Sequence, residues 1–208
     1  YFQLPTTIGT SGQLLKVPSS GNTLEWGTGS GITHLLEGTN FTGSLIVGHD
    51  TTGTLSTAQY NTALGVNAMD AITSADGVTA VGYNAGTAIT TGGSNTLFGY
   101  DAGKAISTGL NHVAIGAEAL MSEDTSTSGS TAIGDRALKT QDGGDYNVAV
   151  GLDAGLSITT GDRNTLIGAF AGDALDSQSE NTAVGYMALS AETSDGNNTA
   201  IGHNALLA

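Results

Sequence analysis

Apolar and polar positions recur along this chain with one long, fixed period. The phrase NTAVGYMALS at 181–190 returns as NTALGVNAMD from Asn61, NVAVGLDAGL from Asn147, NTLIGAFAGD from Asn164 and NTAIGHNALL from Asn198. Indexed on its glycine, the phrase falls at Gly48, Gly65, Gly82, Gly99, Gly116, Gly134, Gly151, Gly168, Gly185 and Gly202. Every step is 17 residues except one of 18 between Gly116 and Gly134, where the extra residue lies in SEDTSTSGS. A large apolar residue precedes each glycine: Val47, Leu64, Val81, Phe98, Ile115, Ile133, Val150, Ile167, Val184 and Ile201. Three residues after the glycine stands Ala, from Ala68 to Ala205, except in the first repeat, where Thr51 marks a terminal, cap-like unit. Repetition at such a period is the signature of a solenoid.

Within the unit, Thr182-Ala183-Val184-Gly185-Tyr186 alternates with a strand-like period of two. A glycine in every unit disfavours helix and points to a positive backbone angle or a close backbone approach at one corner. Asn stands four before the glycine at Asn61, Asn95, Asn147, Asn164, Asn181 and Asn198. This is a residue tolerant of left-handed turns, and stacked coils align it into an amide ladder. The second half of the unit shows compensation. Where the fourth residue after the glycine is Gly86, Gly103, Gly155 or Gly172, an aliphatic residue follows at Ile89, Ile106, Ile158 or Leu175. Where it is Leu120, Leu138 or Leu189, the later position is Glu123, Gln141 or Glu192; the unit from Asn61 carries both Met69 and Ile72. Each coil thus supplies at least one large apolar residue from its second side. The fold expected is an all-β parallel β-roll or β-solenoid of about ten 17-residue coils, with two short strands per coil around a thin apolar interior.

The first strand is apolar on both faces. By alternation, the large residues before the glycine fill the coil, and Ala63, Ala80, Leu97, Ala114, Ala132, Ala149, Leu166, Ala183 and Ala200 face elsewhere. Such a stripe of small residues in water is an association site, and a close-packed ring of identical chains covers it. It is therefore the expected interchain face.

Composition narrows the partners. The 208 residues include 32 Gly, 2 Pro and no Cys, with 38% hydrophobic residues, too apolar for compositional disorder. Five Lys and Arg against 19 Asp and Glu give a net charge of −14, which repels phosphate backbones and anionic lipid. No apolar run approaches a membrane span. Loop carboxylates at Asp142, Asp145, Asp162, Asp173 and Asp176 are candidates for cation binding, yet no calcium-loop motif accompanies them. No metal or other cofactor is expected.

The repeated N-T-A-V/I-G-x-x-A phrase, over about residues 40–208, resembles the head repeats of trimeric autotransporter adhesins and the same repeats in bacteriophage tail fibres. The resemblance implies a left-handed parallel β-roll, three of which pack into a rod, although the period here is longer than is usual in adhesin heads. Tyr1–Gln3 read as the remainder of a protease-site tag. Residues 4–39 read as a β-hairpin module and connector, with Gln13–Val17 and Thr23–Trp26 as arms around a Pro-Ser-Ser-Gly-Asn turn. This phrase is similar to a module preceding repeats in phage tail fibres, so a virion fibre is favoured over a bacterial surface adhesin. The ending NALLA lies in mid-repeat, which suggests a segment of a longer fibre.

Chemistry finds little support in the sequence. VGYMAL matches the hexapeptide of acyltransferase β-helices, but positions six and twelve residues after Val184 are Ser190 and Gly196. His34, His49, His112 and His203 read as surface or turn histidines without an obvious Ser or carboxylate partner. A tailspike glycosidase needs a carboxylate pair across a sugar groove, which this pattern does not single out. A Thr row (Thr62, Thr79, Thr96, Thr131, Thr165, Thr182, Thr199), interrupted by Val113 and Val148, raises an ice-binding surface as an alternative, but by alternation it shares the face expected inside. The expected function is a non-enzymatic homotrimeric fibre segment. It acts as a rigid spacer, with host-receptor or glycan contacts in the variable loops Ser122–Ser130 and Thr140–Tyr146.

Overall fold

The computed structural model describes residues 56–124, 127–191 and 195–207 in full, and Leu14–Lys16, Glu25–Gly27 and Leu45–Val47 as backbone strands. The chain divides into two compact units, Tyr1–His34 and Leu35–Ala208. In the first, β1 (Leu14–Lys16) and β2 (Glu25–Gly27) pair antiparallel with Leu15 opposite Trp26, the hairpin expected from the sequence. Tyr1–Gln3, the hairpin turn, His34, Gly48, His49, Thr51, Glu192 and the Val47 side chain lie outside the described residues.

The second unit is a parallel β-solenoid. Its ten three-residue strands are β3 (Leu45–Val47), β4 (Thr62–Leu64), β5 (Thr79–Val81), β6 (Thr96–Phe98), β7 (Val113–Ile115), β8 (Thr131–Ile133), β9 (Val148–Val150), β10 (Thr165–Ile167), β11 (Thr182–Val184) and β12 (Thr199–Ile201). They form one sheet in sequence order. The nine glycines from Gly65 to Gly202 bound eight turns. Each strand pairs with its equivalent in the next coil, Leu166 with Ala183 for instance, so identical repeat positions stack in rows. The 18-residue step is absorbed outside the sheet: Val113 pairs Thr131 and register is kept. No helix occurs among the described residues.

The glycine corner satisfies both conditions that glycine relieves. Gly151 has φ +142°, and a Cβ there would overlap the carbonyl oxygen of Gly168 and lie 2.6 Å from its carbon. Gly202 has φ +124° but nothing within 4 Å.

The return half of each coil is not a second strand, contrary to expectation. Two left-handed residues per coil curl it into turns, at the second and fourth positions after the glycine: Arg136 and Leu138 in one coil, Asp153 and Gly155 in the next. Its backbone still bonds to the following coil, as in Leu138 N–H to Ala154 O at 3.0 Å and Gly155 N–H to Ala171 O at 2.9 Å. The Gly-or-Leu alternation is therefore a trade at one left-handed position. Glycine adopts φ near +60° at little cost, whereas Leu accepts strain there to fill the interior.

The two strand faces are the reverse of the expected assignment. Ala63, Ala80, Leu97, Ala114, Ala132, Ala149, Leu166, Ala183 and Ala200 are buried inside the coil, and the large residues from Leu64 to Ile201 point outward, exposed or half-buried. The cause is the space left by the return half. Ile72, Ile89, Ile106, Leu120, Leu138, Ile158, Leu175 and Leu189 are fully buried and fill the interior from the other side, leaving room only for Ala on the strand. The two exceptions follow the same rule. Leu97 lies where a Cβ on Gly86 or Gly103 would come within 2.6 Å of its methyls, and Leu166 lies between Gly155 and Gly172 in the same way.

Candidate functional site

Two features stand out from this regular core: an uncharged outward sheet face and a ladder of buried polar side chains.

The outward face carries two rows from each strand. One is Leu64, Val81, Phe98, Ile115, Ile133, Val150, Ile167, Val184 and Ile201, with Ile133 36%, Phe98 54% and Ile201 70% exposed. The other is the Thr row with Val113 and Val148, exposed or half-buried and so not interior as alternation from the expected face had placed it. No residue of β4 to β12 is Asp, Glu, Lys or Arg. The residues just after the glycine add exposed Val66, Tyr83, Tyr100, Leu152 and Tyr186 beside it. Tyr83 stacks on Tyr100 at 5.5 Å, and Tyr186 stacks on His203 at 5.4 Å.

Charge is concentrated on the turns. Arg136 makes a bidentate pair with Asp153 at 2.7 and 2.6 Å, which raises the guanidinium pKa further above its ordinary value, and Lys104 is raised by its hydrogen bond to Asp101. Of the candidate cation carboxylates, Asp145 accepts the Ser128 amide, Asp162 accepts the Asp145 amide and Asp176 accepts the Thr159 hydroxyl. Asp142 shares a hydrogen bond with Asp124, and this bond together with the Asp142 charge raises the Asp124 pKa. Among the described residues no three His, Cys, Asp or Glu side chains converge as a metal site.

The asparagine ladder forms as expected, but its residues are not the left-handed ones. Those immediately precede them: Tyr60, Ser94, Tyr146, Arg163, Glu180 and Asn197. Asn61, Asn95, Asn147 and Asn164 each perform two tasks. The Oδ1 accepts the amide of the next rung, as Asn147 does from Asn164 at 2.8 Å and Asn164 from Asn181 at 3.0 Å. The Nδ2 donates to a carbonyl 14 residues ahead, as Asn95 does to Gly109 at 2.9 Å and Asn147 to Gly161 at 2.6 Å.

In the two coils flanking the 18-residue step, other residues fill the rung. His112 stands four before Gly116, the Asn position. Its amide donates to Asn95 Oδ1 at 2.8 Å, its Nδ1 accepts the Ser130 amide at 3.3 Å and its Nε2 lies 3.2 Å from Thr127 O. Ser130 follows; its Oγ accepts the Asn147 amide at 3.2 Å but is too short to reach the carbonyl an Asn would serve. Gln141 makes up the difference, with Nε2 2.7 Å from Gly144 O, 3.1 Å from Ser130 Oγ and 3.0 Å from Glu123 Oε2. Glu123 and Gln141, expected as the polar alternatives to an interior aliphatic, are thus both buried and bonded inside the coil. His112 is therefore not the surface or turn histidine expected from the sequence but a fully buried one, and counting back from Gly116 identifies it as a rung.

Fold and ladders together define a parallel β-solenoid repeat protein. No protein-family model, curated protein or solved structure matches the chain.

Proposed function

We propose that this chain is a non-enzymatic segment of a trimeric phage tail fibre, located in the virion and acting as a rigid spacer. The observation that carries the reading is the outward face of the sheet: nine consecutive strands without a charge, in a chain whose net charge is −14. At about 4.8 Å per coil, ten strands make a strip roughly 45 Å long, an apolar stripe of the kind that marks an association surface. A second copy suits it because every row is in register and repeats at the same interval, so one rod matches another along its whole length. Association places Leu64, Phe98, Ile115, Ile133, Ile167 and Ile201 between chains, in the role first expected of the Ala row, which the coil covers itself. The resemblance of the repeats supplies the trimer, the left-handed coil and the fibre context; a bacterial surface adhesin is the alternative context. In this reading host-receptor or glycan contacts fall to the variable turns Ser122–Ser130 and Thr140–Tyr146, and alanine substitution there is expected to weaken host attachment.

The outward Thr row favours one second reading, an ice-binding surface on a monomeric solenoid. Absolute molar mass by light scattering separates the two. The fibre reading expects three times 20.7 kDa, falling to 20.7 kDa in Phe98→Glu/Ile167→Glu. A wild-type monomer overturns it, and thermal hysteresis in that monomer establishes the second.

A further inference from the structure

Along the solenoid, the rungs from Asn95 to Asn198 form one unbroken chain of side-chain bonds through His112, Ser130, Asn147, Asn164 and Asn181. Six of the seven members are hydroxyls or amides, which do not titrate in the ordinary pH range. His112 alone does, and it sits at the coil where the repeat gains a residue.

Its geometry admits one protonation state. The Ser130 N–H points at Nδ1, so Nδ1 must be bare to accept it. Nε2 faces the Thr127 carbonyl, so it must carry the proton to donate. This is the neutral Nε2–H tautomer, and in it the ring reproduces both tasks of an asparagine: acceptor to the next rung's amide, and donor to a carbonyl 15 residues ahead in place of 14. Adding a proton at Nδ1 turns the acceptor into a donor aimed at another donor. The ring has no room to turn away, being fully buried, and Gly109 packs so close that a Cβ there would lie 2.8 Å from Nε2.

We propose that His112 is an acid-sensitive rung: above its titration the imidazole locks its coil to the Thr127–Ser130 segment of the next, and its protonation releases that lock at this single point of the rod. The ionisable groups acting on the ring are Glu123 and Asp145, both of which favour the imidazolium; burial outweighs them and holds the imidazole pKa below its ordinary value. The native rung therefore binds its proton less readily than the opened one. Opening becomes easier as pH falls below about 6.5, by up to about tenfold per pH unit, and does not change above it.

The test is hydrogen exchange of the Ser130 amide in the full chain, normalised to the intrinsic exchange rate, from about pH 7.5 down to about pH 4.5. Protection is expected to be flat above about pH 6.5 and to fall below it by up to about tenfold per unit, while the Asn181 amide, held by Asn164, keeps its protection. His112→Asn restores the residue used at six other rungs and is expected to abolish the fall at Ser130. Flat protection in the wild type, or an equal fall in His112→Asn, overturns the proposal. Should the variant not fold, nitrogen NMR of the wild-type ring decides: a bare Nδ1 at about pH 7.5 supports the lock, and a proton on Nδ1 there overturns it.

Discussion

Replacing Gly151 by Ala tests the glycine corner, because Gly202 supplies a matched control within the same chain. At Gly151 two costs combine. The backbone sits at φ +142°, a region that residues with a Cβ avoid at about 1–3 kcal/mol. The new methyl also overlaps the Gly168 carbonyl and lies 2.9 Å from the Ala169 nitrogen, both backbone atoms of the next coil. To clear them the coils must separate, which strains Gly168 N–H to Val150 O and Phe170 N–H to Leu152 O, each 2.8 Å and each contributing about 0.5–1.5 kcal/mol. The sum is about 2–6 kcal/mol. At Gly202 the backbone term is present, at φ +124°, but no atom lies within 4 Å, so the expected loss is only about 1–3 kcal/mol. The measurement is urea unfolding of both variants at one protein concentration, since any assembly makes apparent stability concentration-dependent. Gly151→Ala is expected to be the more destabilised by at least about 1 kcal/mol. Equal losses would refute the claim that close approach between coils, rather than the dihedral angle alone, demands glycine along this row.

Leu97→Ala is expected to cost about 3–5 kcal/mol in the same titration, because the neighbours that could close the cavity are glycines at Gly86 and Gly103. Asn164→Ala removes the acceptor of the Asn181 amide and the donor to Gln178 O, and a loss of about 2–3 kcal/mol is expected, with hydrogen exchange rising first at Asn181. For His112 the sign is set by its lowered native pKa: its contribution to stability is complete above about pH 6.5 and is lost as pH falls, by at most about 1.4 kcal/mol per unit. His112→Asn should flatten that part of a stability–pH curve measured by thermal melting.

How far the fold could be read from sequence differs from row to row, for physical reasons. The period, the parallel register, the glycine corner and the Gly-or-Leu compensation are all visible, because each is a demand that every coil repeats. The facing of the strand is not legible from residue size: an outward Phe98 and an inward Ala114 invert the rule that large residues are buried once the return half fills the core. The clue was nevertheless present. The Ala row turns to Leu only at Leu97 and Leu166, the strands whose own and preceding coils both carry Gly at the fourth position after the corner, Gly103 with Gly86 and Gly172 with Gly155. The turn-rich return half left a fainter mark. Asn67, Asn84, Asp101 and Asp153 suit a left-handed position, but Glu118, Arg136, Phe170 and Met187 occupy the same row without any such preference. There the stacking of coils imposes the conformation that the residue itself would not choose.

The same stacking determines where the solenoid yields. Strand pairing and the glycine corner run through every described coil and are nearly uniform, so they set no preferred point of opening. The polar ladder is not uniform. Between Asn61 and Asn95 the rung is Val78, which accepts nothing through its side chain, and between Asn95 and Asn147 it passes through His112 and Ser130, the latter completed by Gln141. From Asn147 to Asn198 it is asparagine throughout, each Oδ1 taking both the amide and the Nδ2 of the next rung. Because a solenoid's stability is a sum of coil and neighbour terms, opening concentrates where a neighbour term is smallest. That places it in the half with substituted rungs, away from the asparagine run. Of those substitutions Val78 is fixed at any pH, whereas the His112 term shrinks in acid, so acid shifts the weakest joint toward the 18-residue step.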